Sequence, residues 1–139
     1  MNPLGIGVDI IDNSRIKKSL SNKNFILRIF SKNEINKSKK ILNKTSFFAK
    51  RFAAKEAFSK ALGTGIRNGL NFNDISVVND RYGKPTIKLS KKLKNIISKM
   101  FKTKKINVFL SFADEKKHSI AFVIIEKKWK LIEIFLLKI

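Results

Sequence analysis

The sequence predicts an α+β fold: a single compact domain with a helical N-terminal half, a long central helix and antiparallel strands. Three observations carry this expectation. Apolar residues recur at helical spacing through most of residues 13–62, whereas 74–90 and 106–126 hold short alternating runs broken by turn residues. The chain has 139 residues, 43% of them hydrophobic, with twelve Phe, which is enough for one core and too little for two. Helices come first and two hairpins flank a later helix, with no linker or internal repeat between them.

Residues 4–11 (LGIGVDII) read as a buried strand with a β-branched centre. Asp9 interrupts it, and a carboxylate in an apolar strand is costly unless paired or bound to a cation. From Asn13 the pattern turns helical, with Ile16 and Leu20 on one side and Arg15, Lys17 and Lys18 around them. Residues 24–30 continue with Phe25, Ile26, Leu27 and Ile29 apolar and Arg28 exposed. Ser31 and Glu34 have capping-box spacing and open a third helix to about residue 42, with Ile35, Ile41 and Leu42 as its face.

The central helix is expected to begin near Ser46 and to include RFAAKEAFSKALGTG, residues 51–65. Phe52, Ala53, Ala57, Phe58, Ala61 and Leu62 give it a broad apolar surface, and Gly63 suits the left-handed residue that ends such a helix. Glu56 and Lys60 lie one turn apart on one face, with Lys55 and Ser59 expected beside them. Such a pair is either a solvent-facing i,i+4 contact or a carboxylate and an ammonium that bind a metal and a phosphate together.

Residues 66–72 read as loop. Residues 74–78 and 85–90 form a hairpin around NDRYGK, with Pro85 at a strand start where it need not donate. Residues 91–101 are an amphipathic helix bearing Leu93, Ile96, Ile97 and Met100. Residues 106–112 and 120–126 form a second hairpin around Asp114, Glu115 and His118, where the lone His reads as a surface residue. The domain is expected to span 1–126. Residues 127–139 form an apolar extension whose WKLIEIFLLKI either pads the core, covers a subunit interface or touches a membrane surface.

Charge and composition bound the function. There are 31 Lys+Arg against 10 Asp+Glu, a formal +21, which attracts polyanions: nucleic acid, anionic lipid or an acidic protein. The lysines are scattered among Asn, Ile and Phe, a set that AT-rich coding also favours. There is no cysteine, hence no disulfide framework and no thiolate zinc site. The start has no signal-peptide pattern, and no run approaches the ~20 apolar residues of a membrane span. A soluble, cytoplasmic domain is the expectation.

Four ordered blocks resemble the holo-[acyl-carrier-protein] synthase family: GIGVDI at 5–10 with Arg15-Ile16 after it, residues 51–65 with the ALGTGIRNGL continuation, Asn79-Asp80 with Gly83-Lys84-Pro85, and VIIE at 123–126. The resemblance implies a 4′-phosphopantetheinyl transferase fold. It also implies transfer of the phosphopantetheine arm of coenzyme A to a serine of apo acyl carrier protein in fatty acid biosynthesis, leaving adenosine 3′,5′-bisphosphate. It further implies Mg²⁺ and a homotrimer with active sites between subunits. By position, Asp9 and Glu56 match the metal pair and Lys60 the lysine near the pyrophosphate. Arg51, Ser59, Lys60, Gly63 and Pro85 match positions around coenzyme A, and Arg15 and Arg28 the carrier-protein contact. The carrier serine, unactivated at neutral pH, needs its proton removed as it attacks phosphorus, and Glu56 is the expected base, directly or through a metal-bound water, with Asp114 as the alternative. Many members carry a histidine late in the chain; a subgroup carries Asp, Glu and a basic residue there, as Asp114-Glu115-Lys116 does. Asp114 is thus either a third acidic catalytic group or an ordinary turn residue.

On this reading Arg15, Lys18, Lys23 and Arg28 steer an acidic carrier protein. The rival is a basic nucleic-acid-binding protein, but no zinc-finger spacing or RNP motif supports it, and it leaves Asp9 and Glu56 without a role. A membrane-surface protein anchored by its tail ranks third.

Overall fold

A computed structural model describes residues 2–65 and 69–128. The order is β1 (Pro3–Asp12), α1 (Asn13–Ser19), α2 (Lys23–Ile29), α3 (Lys32–Ser38), α4 (Lys44–Leu62), a short 3-10 turn (Phe72–Asp74), β2 (Ile75–Asn79), β3 (Pro85–Leu89), α5 (Lys91–Phe101), β4 (Ile106–Asp114) and β5 (His118–Lys127). An antiparallel three-stranded sheet has the order β1-β5-β4, and β2-β3 form a separate hairpin. The first and last strands therefore pair, with Asp9 opposite Ala121 and Ala121 opposite Phe112.

The helix starts lie where short polar side chains accept orphan backbone N–H groups. Asp12 caps α1, Asn22 caps α2, Asn43 caps α4 and Ser90 caps α5, each worth about 1 kcal/mol. The Ser31–Glu34 capping box forms as expected. Gly63 ends α4 at φ 79°, which a residue with a Cβ adopts only at a cost.

α4 lies across the inner face of the sheet and forms the centre of the core. Ala49, Ala53, Ala54, Ala57 and Phe58 are buried completely, as are Val123 and Ile125 of β5, a strand on which α4 packs. Around its first half, Phe30 and Phe48 rings pack with centroids 4.5 Å apart.

Four expectations need correction. β1 is not buried on both faces. Its odd residues turn toward α4, while Ile6, Val8 and Ile10 on the even face are 63%, 50% and 64% exposed. α3 stops at Ser38 instead of running to 42, because the amides of Lys39, Lys40 and Ile41 fold back onto carbonyls three residues earlier. Leu42, placed on its apolar face, stands fully exposed instead. α4 begins at Lys44, two residues before Ser46. β5 continues one residue past 126, where the strand is expected to end, and the Lys128 amide still donates to the Lys105 carbonyl. The apolar segment at 129–139 lies outside the described residues. Among those described, no helix is long and apolar enough to cross a membrane.

Candidate active site

The site begins with two glycines. A Cβ on Gly7 would stand 1.9 Å from the Ala57 carbonyl oxygen, and one on Gly5 1.8 Å from that of Ala61. Both positions are glycine because the backbones of β1 and α4 touch there, a contact that the small Ala57 and Ala61 also permit. That close crossing places the next inward residue of β1, Asp9, beside the exposed edge of α4. Lys60 Nζ donates to Asp9 Oδ1 at 2.9 Å and to the Val8 carbonyl at 3.1 Å.

Glu56 sits one turn before Lys60. Burial, and then the Asp9 charge, push its carboxyl above the ordinary glutamate range, with Lys60 opposing. Asp9 and Glu56 line one cavity of about 300 Å³, with Arg15 on its wall and Ile16, Phe25 and Phe52 as its apolar floor. Two acids and an arginine from β1, α1 and α4 thus share one opening, and Lys60 is bonded to the Asp9 carboxylate on it.

The Mg²⁺ that the family resemblance implies is a hard cation that takes oxygen donors. Among the described residues no group of three or more His, Cys, Asp or Glu forms a protein cage. Two carboxylate donors are instead the set a hard cation takes when water and phosphate oxygens fill the rest of its shell. Burial, and then the nearby Asp9, make Glu56 hold its proton more tightly than an ordinary carboxylate, and a divalent cation would relieve the repulsion between the two acids. The residues fit. The Lys60–Asp9 pair does not block them, since Lys60 is 54% exposed and such pairs exchange readily.

A second group lies elsewhere on the chain. Arg51 is 3% exposed and stacked on the Phe47 ring at 3.6 Å. It donates to the Phe47 carbonyl at 3.2 Å and to Asn79 Oδ1 at 3.0 Å, while its buried Nε has no partner. Burial pulls its pKa down to about 10, against the influence of Glu34. Asn79 faces Pro85 in the hairpin, so Arg51, Asn79 and Pro85 come together. Arg51, Lys50, Lys37 and Asn79 line another cavity of about 300 Å³. Asp114 accepts a hydrogen bond from Ser46 and pairs with Lys50 at 3.3 Å. Burial raises its pKa, but the Ser46 and Lys50 contacts outweigh it and hold Asp114 below the ordinary range.

Asp114 lines a third cavity with Asn43 and Ser46, not the one holding Asp9 and Glu56. Within one chain the expected site residues therefore form two groups: Asp9, Glu56, Lys60 and Arg15 in the first, Arg51, Pro85 and Asp114 in the second. Ser59 is buried within α4, Gly63 is at its end, and Arg28 is exposed on α2. His118 is at the surface, with Nδ1 2.9 Å from Glu115.

The expectation that Lys55 shares the face of Glu56 and Lys60 is wrong. Lys55 is fully buried and paired with Glu34 at 2.7 Å. The hint was present in the sequence: Lys55 follows two alanines on the apolar side of the helix, and Glu34 was already tied to a helix start.

Comparison with known proteins follows this geometry. Residues 5–123 match the family model described as the 4′-phosphopantetheinyl transferase superfamily. The chain is 60% identical over 128 residues to the holo-[acyl-carrier-protein] synthase of Pelagibacter ubique, covering 92% of this chain and 100% of that one. The crystal structure of a holo-(acyl-carrier-protein) synthase from Bacillus anthracis, in complex with CoA (3′,5′-ADP), superposes with a TM-score of 0.77 at 39% identity, covering 92% of this chain and 100% of that one. The corresponding structure from Neisseria meningitidis gives 0.81 at 36% identity, covering 90% and 99%.

Proposed function

This chain belongs to the 4′-phosphopantetheinyl transferase superfamily, and from that premise we propose the following account of its chemistry. It is a holo-[acyl-carrier-protein] synthase, which moves the 4′-phosphopantetheine arm of coenzyme A to a serine of apo acyl carrier protein. A bond forms between the serine oxygen and the β-phosphorus, and the bond from that phosphorus to the bridging oxygen breaks. Adenosine 3′,5′-bisphosphate leaves.

Asp9 and Glu56 are the residues that would hold Mg²⁺. Bound there, the ion would neutralise the diphosphate and stabilise charge on the departing bisphosphate. Lys60 exchanges its contact with Asp9 for the phosphate oxygens and adds a second positive charge where negative charge develops. Glu56, whose proton affinity is already raised, takes the serine proton directly or through a bound water. Arg51, Ser59, Gly63 and Pro85 hold coenzyme A, with Lys50 beside Arg51. Arg15 and Arg28 receive the carrier protein, and Asp114 serves as a third acidic group near the reacting centre.

The two groups of residues also support a homotrimer. In one, the second group of one subunit completes the first group of its neighbour. The outward face of the sheet offers the contact, since Ile6, Val8, Ile10, Phe109, Ile120 and Phe122 are all large, apolar and exposed on it. A cytoplasmic location suits a cysteine-free chain whose substrates are coenzyme A and carrier protein. The nucleic-acid reading of the +21 charge gains nothing, because Phe30, Phe47, Phe48 and Phe58 are core residues and not stacking platforms.

The observation that carries this proposal is the meeting of Asp9 and Glu56 at one opening, with Lys60 bonded to Asp9. It is tested by intact-mass analysis of apo carrier protein after incubation with the chain, coenzyme A and Mg²⁺. One added phosphopantetheine is expected, and none with Glu56→Gln. An unmodified carrier with the wild-type chain would overturn it.

A further inference from the structure

We propose that the buried Glu34–Lys55 pair is a positioning device for the reaction: it sets the roll of α4 about its own axis, and so fixes how Glu56 approaches Asp9. The inference rests on the reading of Asp9 and Glu56 as the metal-holding acids.

Lys55 and Glu34 have no exposed side-chain surface. The Lys55 ammonium has three protons and four oxygen neighbours: Glu34 Oε2 at 2.7 Å, the Ile75 carbonyl at 2.7 Å, the Ile29 carbonyl at 2.8 Å and the Phe72 carbonyl at 3.1 Å. Glu34 in turn accepts from the Ser31 amide at 2.8 Å and the Val77 amide at 2.9 Å. The end of α2, the start of α3, the 3-10 turn and β2 are thereby tied to a single atom of α4.

Stability alone is a poor account of such a pair. Replacing a buried ion pair by apolar groups of similar volume is often neutral or favourable, because the desolvation of both charges offsets their attraction. What the pair supplies is direction, since hydrogen bonds to several fixed oxygens tolerate little rotation, whereas apolar contacts slide.

Direction matters here because Glu56 is the next residue, roughly 100° around the helix. A carboxylate ~6 Å from the helix axis moves about 1 Å for a 10° roll. Metal sites hold their ligand distances to within ~0.2 Å. The opposite side of α4 cannot shift toward β1, because Gly5 and Gly7 already touch the carbonyls of Ala61 and Ala57. The glycines thus set the height of the helix over the sheet, and Lys55 sets its roll.

The test uses three variants. E34L/K55M removes both charges, so that neither is left alone in the core. E34D keeps both charges and shortens the reach by one methylene. E56Q is the control on the metal reading. Each is checked for fold by circular dichroism and assayed well below its melting temperature. Free Mn²⁺ is counted by electron paramagnetic resonance with the protein alone, and the Mg²⁺ concentration for half-maximal transfer is measured separately.

Folded E34L/K55M is expected to bind Mn²⁺ roughly tenfold or more weakly, as when groups that orient metal ligands are lost. Its half-saturating Mg²⁺ should rise in parallel, with kcat recovering at high Mg²⁺ and the carrier KM unmoved. E34D should show the same pattern to a smaller degree, and carries the test if the double variant does not fold. Wild-type Mn²⁺ affinity and Mg²⁺ dependence in folded E34L/K55M or in E34D, alongside a loss in E56Q, would overturn the positioning role alone. Wild-type affinity in E56Q would overturn the metal reading and this inference with it.

Discussion

Lys60 reaches across 51 residues of sequence to place its ammonium 2.9 Å from the Asp9 carboxylate. The contact exists because β1 and α4 cross at glycine, and it joins a strand carboxylate to the helix that carries Glu56. As an ion pair it adds little to stability, about 0–1 kcal/mol, since the lysine end lies in solvent. In the proposed reaction its weight falls on chemistry. Lys60→Met should melt within a few degrees of wild type, yet lose roughly 10²–10³ in kcat, the scale of a lost transition-state charge. Melting curves and steady-state kinetics check both halves.

Gly7→Ala separates close approach from flexibility as the reason for that glycine. The added methyl would lie 1.9 Å from a helix carbonyl oxygen, which cannot swing away as a side chain would. A destabilisation of at least about 1–3 kcal/mol in urea unfolding is expected. Activity should fall even in the folded fraction, because α4 must lift and carry Glu56 and Lys60 away from Asp9.

The raised proton affinity of Glu56 has consequences for pH. Its folded pKa lies above its unfolded value, so the folded state binds the proton more tightly, and the ionised form is a strain on the fold. That cost is fully present above the folded pKa and is relieved as pH falls through it. In the metal-free protein Glu56→Gln should therefore melt higher than wild type at neutral pH, with the gap closing in acid. For kcat/KM the sign reverses: in the proposed role as base Glu56 must be ionised, so activity is expected to fall as pH drops through the same range. Thermal melts and a pH–rate profile measure the two effects on one residue.

Salt should distinguish the two substrates. Arg15 and Arg28 are exposed and the chain carries +21, so encounter with an acidic carrier protein is screened by added salt. The carrier KM is expected to rise steeply with salt while that of coenzyme A changes little. Arg15→Glu or Arg28→Glu should raise the carrier KM roughly tenfold at low salt and flatten its salt dependence. Equal salt sensitivity for both substrates would contradict this division.

Much of this fold was legible in local chemistry. α5 occupies 91–101 as expected, because Ser90 caps it and its apolar residues return every three to four positions. Gly63 and the Ser31–Glu34 box were readable for the same reason, each being complete within a few residues. What was not legible depends on partners distant in sequence. Lys55 stands beside apolar residues of α4, but only the fold brings Glu34 and three backbone carbonyls to its ammonium. Glu34 gave no sign that its second oxygen would cap the Val77 amide. Gly5 and Gly7 marked a motif, but only the helix crossing explains them. Asp9 and Glu56 were paired through family resemblance, and spacing alone cannot bring residues of β1 and α4 together. Nor did the sequence separate Asp114 from that pair within one chain; the register of β4 with β5 does so.

Anomalous scattering from crystals grown with coenzyme A and Mn²⁺ tests the central claim most directly. The account predicts one strong peak within ligand distance of both the Asp9 and the Glu56 carboxylates and of the coenzyme A diphosphate, and its loss in Glu56→Gln. A peak held by other residues, or coenzyme A bound with its diphosphate away from these two acids, would contradict it.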